Sequence, residues 1–193
     1  MRQVLVLAIV LGAGSAFAAG PPRDKDPPLG HADKQKLEER LKKLVGKPPE
    51  PIVNLHNIWT QETLVIGAKA PEVTAPMVDT FLRCHFTDEP THMDERLINV
   101  LFKAARRFRA DRIDVVSGFR SPKFNLMLRK KGHEVARDSQ HTYGHAVDFR
   151  IPGIGTRKLL SFVRSLHLGG AGFYPESEFV HADTGPIRFW AGR

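Results

Sequence analysis

Apolar residues open the chain as a block. Val4–Leu11 is apolar at every position, and Gly12–Phe17 continues the run with small residues. Met1-Arg2-Gln3 places a positive charge ahead of it, and Ala16-Phe17-Ala18 supplies the small-x-small pattern that a signal peptidase reads. The run is shorter than the ~20 apolar residues a spanning helix needs. Residues 1–18 therefore read as a secretory signal peptide cut after Ala18, with no cysteine nearby for lipid attachment. Gly20–Gly30 mixes Pro21, Pro22, Pro27 and Pro28 with charges and reads as an extended linker. In Asp33–Val45, Leu37, Leu41, Leu44 and Val45 recur at helical spacing, which predicts a short amphipathic helix ended by Pro48, Pro49 and Pro51. Residues 19–50 thus form a linker with one helix, and residues 51–193 form the folded domain.

Within that domain the period alternates between two and 3.6. Ile52–His56 and Glu62–Ile66 are β-like runs able to pair as a hairpin. Thr91–Arg109 predicts the best helix: Thr91 as cap, Asp94 in a capping-box position, and Met93, Leu97, Val100, Leu101, Ala104 and Phe108 on one apolar face. Ile113–Val116 reads as a strand. Ser121-Pro122 opens a helix that Gly132 ends. His145–Arg150 reads as a strand and Thr156–Leu168 as a helix closed by Gly169-Gly170. Ala171–Tyr174, Phe179–Ala182 and Ile187–Trp190 read as three strands joined by tight turns. The expectation is a small α+β domain, a central antiparallel sheet flanked by helices.

Composition sharpens this in two ways. The formal charge is +8 over 193 residues, and falls to +7 if the signal peptide with Arg2 is removed. Such a surface suits an anionic polymer, a membrane surface or nucleic acid, and export argues against nucleic acid. Cys84 is the single cysteine. An exported domain with one cysteine holds no internal disulfide, and Cys84 reads as a small buried hydrophobe.

The candidate chemistry sits in Ser139-Gln140-His141-Thr142-Tyr143-Gly144-His145-Ala146-Val147-Asp148 and in Glu178-Phe179-Val180-His181-Ala182-Asp183. Two imidazoles and a carboxylate suit Zn²⁺, and three protein ligands leave one position for water. Zinc lowers the pKa of such a water to about 7. Strand alternation puts Ala146 and Asp148 on one side, and Phe179, His181 and Asp183 on one face of a later strand. A rival pairing is His141 with His145, four apart as on a zinc-binding helix, but Gly144 and the strand that follows argue against a helix there. His31, His56, His85, His92, His133 and His167 show no partner pattern and read as surface or structural.

The pattern Ser139-x-His141-x-x-Gly144-x-Ala146-x-Asp148, followed by Phe179-Val180-His181-x-Asp183-x-Gly185, resembles the zinc D-Ala-D-Ala peptidase superfamily. More narrowly it resembles the MepK-type murein endopeptidases. Ser117-Gly118-Phe119-Arg120-Ser121-Pro122 with Asn125, Gly169-Gly170-Ala171-Gly172-Phe173-Tyr174-Pro175, and Gly185-Pro186-Ile187-Arg188-Phe189-Trp190 extend the match from about Val53 to Trp190. The resemblance implies that His141, Asp148 and His181 bind one zinc ion per chain. It implies that Arg120 faces the substrate, steadying an oxyanion or binding a carboxylate, and that Ser139 lies beside it. For the general base two residues stand. Glu178, with the dipeptidase spacing of three before His181, is the favoured one, although MepK-like chains more often lack an acid there. Asp183, which completes the His-x-Asp they keep, reads equally as an orienter of His181. The implied activity is hydrolysis of peptide cross-links in peptidoglycan by an exported, periplasmic and monomeric enzyme, without stable membrane insertion after signal cleavage. The alternatives are a D,D-carboxypeptidase trimming terminal D-alanine and a non-catalytic, zinc-stabilised wall-binding domain.

Overall fold

A computed structural model describes residues 35–36, 52–67, 70–132 and 135–192. The chain divides into a unit Met1–Pro48 and a unit Pro49–Arg193. Of the first, only Gln35 and Lys36 are described, both helical. The signal peptide and most of residues 19–50 lie outside the described residues.

The second unit carries seven strands: β1 (Val53–Asn57), β2 (Thr63–Ile66), β3 (Arg112–Ser117), β4 (Ala146–Arg150), β5 (Gly170–Tyr174), β6 (Phe179–Asp183) and β7 (Arg188–Ala191). Four α-helices accompany them: α1 (Ala75–Phe81), α2 (Glu95–Phe108), α3 (Pro122–Lys130) and α4 (Thr156–Ser165). One 3₁₀ turn spans Gln140–Tyr143. The strands form one sheet in the order β2-β1-β3-β4-β6-β5-β7. The class is α+β, as the sequence implies.

The sheet is mixed, however, where an antiparallel one was expected. The middle pairs β3–β4, β4–β6 and β5–β6 are antiparallel, while β1–β3 and β5–β7 are parallel. The reasons are connectivity and edge availability. A long excursion through β2, α1 and α2 returns the chain beside β1 in the same direction, which a tight turn cannot do. At the other end, β4 already holds the far edge of β6, so β7 pairs on the free edge of β5 and runs parallel to it.

One hydrophobic layer joins sheet and helices. Leu97 and Leu101 of α2 and Leu159 and Val163 of α4 share a core with Val147, Phe149, Val180 and Ala182. Burying each large aliphatic or aromatic side chain contributes about 1.5–3 kcal/mol. Cys84 is buried in the same core, as expected. Because side chains alternate along a strand, Asp148, His181 and Asp183 point from the opposite face.

Three local readings change. Helix α1 was not foreseen. Helix α2 begins at Glu95 rather than near Thr91, and Asp94 is its cap, accepting from Arg96 N–H. The preceding backbone is committed elsewhere: Met93 N–H donates to Asp79 (2.8 Å) and Asp94 N–H to the Gly144 carbonyl (3.0 Å). Helix α4 stops at Ser165, short of Leu168.

Candidate metal centre

His141 sits on the 3₁₀ turn ahead of β4. Gly144 ends that turn at φ 74°, and a Cβ there would collide with the His92 carbonyl oxygen. Only glycine meets both conditions without strain. The turn carries His141 over β4, where Asp148 pairs in register with His181 of β6. Neighbouring antiparallel strands thereby set two of the three side chains side by side, and the turn brings the third.

Hydrogen bonds fix the imidazoles. His141 Nδ1 lies 2.6 Å from the Gly118 carbonyl oxygen. A carbonyl only accepts, so Nδ1 carries the proton and Nε2 offers its lone pair. Gly118 can bring its backbone this close because it has no Cβ to collide with the Leu82 carbonyl. His181 Nε2 lies 2.8 Å from Asp183 Oδ2, which leaves Nδ1 on the other side of the ring. His141 Nε2 and His181 Nδ1 are 3.1 Å apart, and each approaches Asp148 Oδ1, at 3.2 and 2.8 Å. Three donor atoms thus converge, mutually within 4.8 Å, and all three residues are buried.

Two lone pairs facing each other beside a buried carboxylate call for a positive charge between them. Burial, then the charge of Arg120, brings the His141 pKa down to about 4. Burial also opposes a charge on His181, but its bonds to Asp148 and Asp183 outweigh this and hold its pKa above the ordinary value. Asp148 is held well below the usual carboxylate range: burial works against ionisation, and His141 and Arg120 overrule it. Neutral imidazole nitrogen, an ionised carboxylate oxygen and oriented far-side nitrogens are what a divalent zinc ion requires of its ligands. The residues fit the ion that the sequence implies.

The surroundings decide the remaining roles. Asp183 accepts from Gly170 N–H and Gly185 N–H (both 2.9 Å), from Arg188 Nη2 (2.8 Å) and from His181. Its acceptor sites are filled, and it lies on the far side of the His181 ring from the convergence point. Arg120 donates through Nη2 to Asp148 Oδ2 and through Nε to Ser117 Oγ (3.0 Å). Its backbone N–H donates to the His141 carbonyl (3.1 Å). Arg120 therefore braces the site and also lines the cleft that opens over it, a cavity of about 1160 Å³. Ser139 lines the same cleft, is buried, and makes no capping hydrogen bond at the turn it precedes.

Glu178 stands apart. It is exposed on the turn before β6 at φ 55° and makes no hydrogen bond to the described residues. Its neighbours Ser177 and Phe179 line the cleft, so Glu178 sits at the rim. The structure thus gathers six of the seven residues singled out in the sequence and leaves Glu178 outside the cluster.

Sequence reasoning assigned no role to Gly118, Ser117 or Arg188, although all three stand inside motifs it quoted. Their contribution is a carbonyl, a hydroxyl acceptor and a clamp on Asp183, none of which a spacing pattern reveals. His85, read as surface or structural, lies in the cleft wall.

Comparison with known proteins identifies a family. A family model described as peptidoglycan L,D-endopeptidase MepK matches residues 49–190. A protein of Haemophilus influenzae named probable peptidoglycan L,D-endopeptidase MepK is 35% identical over 155 residues, covering 77% of this chain and 83% of its own. The peptidoglycan L,D-endopeptidase MepK of Escherichia coli K12 is 32% identical over 151 residues, covering 76% and 83%. No solved structure matches.

Proposed function

The chain belongs to the peptidoglycan L,D-endopeptidase MepK family, and from that premise we propose that it hydrolyses L,D peptide cross-links of peptidoglycan with zinc held by His141, Asp148 and His181. It is a peptidase. The observation that carries the metal assignment is the convergence of three buried donor atoms whose far sides are already hydrogen-bonded.

When bound, zinc supplies Lewis acidity at the scissile carbonyl and makes a water acidic enough to attack near neutral pH. The chain's own residues do the rest. The Gly118 carbonyl and Asp183 hold the two imidazoles in the tautomers that face the ion. Arg120 offsets the Asp148 charge through one donor and, as part of the cleft wall, steadies developing oxyanion charge. Ser139, on the cleft wall, is a contact for the substrate peptide. Glu178 is assigned as general base on its spacing of three before His181. Its carboxylate, which makes no hydrogen bond to the described residues, has to swing from the rim over the cleft to take a proton from the attacking water and pass it to the leaving amine. Asp183 positions His181, because its own acceptor sites are occupied.

The anatomy of residues 1–18 supports export to the periplasm, where peptidoglycan lies. Among the described residues no helix is long and apolar enough to cross a membrane. Elemental analysis of the purified protein should find one zinc per chain, and His181→Ala should lose most of it. Full zinc occupancy in that variant would overturn the ligand assignment.

A further inference from the structure

The cleft over the metal centre has a second, aromatic end. The rings of Trp59 and His85 stack with centroids 4.7 Å apart and planes 10° from parallel. His85 meets Phe124 edge-on at 4.8 Å, and Phe86 stacks on Phe124 at 5.2 Å. These rings come from the turn after β1, the loop after α1, and α3. Trp59, His85 and Phe124 line the same cavity as His141, Asp148 and His181.

Trp59 is 58% exposed yet fixed in place. Its Nε1–H donates to the Val116 carbonyl (2.9 Å) and its backbone N–H to Asn57 Oδ1 (3.0 Å). Val116 is the residue that the β3–β4 ladder skips, at a bulge between Val115 and Ser117. With one face of the indole on His85 and one edge on Val116, the exposure falls on the opposite face and the remaining edge. A large flat apolar face held rigidly toward solvent is a poor device for stability and a good one for binding, since little side-chain freedom is left to lose.

Arg120, Arg150, Arg188 and Lys131 line the cleft beside the acids Asp138 and Asp148, a basic balance that suits the carboxylates of a peptide substrate. Around Trp59 the lining is aliphatic and aromatic, with Ile58, Val116, His85 and Phe124, and burial, then the nearby Arg120, disfavours a charge on His85. An uncharged group with a flat apolar face fits there. A pyranose ring has such a face: its axial C–H groups are electropositive and lie well on the negative face of an aromatic ring.

We propose that Trp59, backed by His85, is a subsite for an amino-sugar ring of the glycan strand that carries the scissile peptide. The inference rests on the peptidoglycan reading above and extends it from the peptide to the polymer. The protein then selects cross-links still attached to glycan over free peptides.

The test compares two cross-linked substrates: muropeptide dimers bearing their disaccharides, and the same peptides stripped of sugar by an amidase. Trp59→Ala is expected to raise KM for the disaccharide substrate by about tenfold, the usual size of a lost aromatic stacking contact. Its kcat, and both constants on the sugar-free peptide, should stay near those of the unaltered protein. Trp59→Phe keeps a ring and should recover most of the affinity, which guards against a folding defect in the alanine variant. Equal loss on both substrates would mean that Trp59 meets the peptide, and no loss on either that it meets nothing; each overturns the subsite. Cleavage of neither substrate by the unaltered protein overturns the peptidoglycan reading, and this inference with it.

Discussion

A single hydrogen bond sets the working face of each imidazole in the metal cluster: Gly118 holds His141, and Asp183 holds His181. The two acids that spacing alone left as rival bases therefore separate by environment. Asp183→Asn should weaken zinc binding by about 10–100-fold, the usual cost of losing a partner that orients a ligand. A competition titration against a chelator reads this directly, and unchanged affinity would contradict the orienting role. Glu178→Gln should keep zinc affinity and lose about 10²–10⁴ in turnover. If it cleaves cross-links at the normal rate, the base is another group. That His141, Asp148 and His181 would converge was legible because their residue types and motif context are specific. The roles of Glu178 and Asp183 were not, because Asp183 is defined by Gly170, Gly185 and Arg188, which contact it only through the fold.

At the scale of elements, the start of α2 and the turn that bears His141 are one assembly. The Asp94 N–H holds the Gly144 carbonyl, and Gly144 packs on His92. Gly144→Ala puts a side chain into a left-handed backbone and into the His92 carbonyl. It should cost about 1–3 kcal/mol from the backbone alone, and shift His141 enough to lower zinc affinity; an unchanged melting temperature would refute the close packing. Asp94→Ala should cost about 1 kcal/mol for the lost cap. Bonding to Arg96 holds the Asp94 carboxyl below the usual carboxylate range. A lowered folded-state pKa gives a contribution complete above the unfolded value of about 3.9 and lost as pH falls toward the folded one. The stability gap between the unaltered protein and Asp94→Ala should therefore be full at neutral pH and shrink below about pH 4; a gap that widens in acid would contradict it. The apolar stripe of α2 was readable over four turns, but its start was not. Helix α1 spans seven residues with proline at its opening, too short for a periodic signal to emerge.

For the whole molecule, the α+β class followed from the change of hydrophobic period along the chain. The order of strands did not. That β4 and β6 are neighbours, so that Asp148 and His181 stand in register, depends on which sheet edges remain free as the chain closes. The same closure brings Trp59 and His85, far from the motifs in sequence, to the wall of the cleft that His141, Asp148 and His181 line. Residues 1–18 bear on where the molecule works. Mass spectrometry of the periplasmic fraction should find a chain beginning near Ala19, and a full-length chain in the cytosol would refute export.

The central claim is zinc-dependent cutting of the wall polymer itself. Sacculi rich in L,D cross-links should be incubated with the purified protein alone, with a chelator, and with the chelator followed by zinc, and the released fragments weighed after separation. Cross-linked dimers should fall to monomers in the first and third samples and persist in the second. Dimers that persist in all three, or that disappear equally with the chelator, would contradict it.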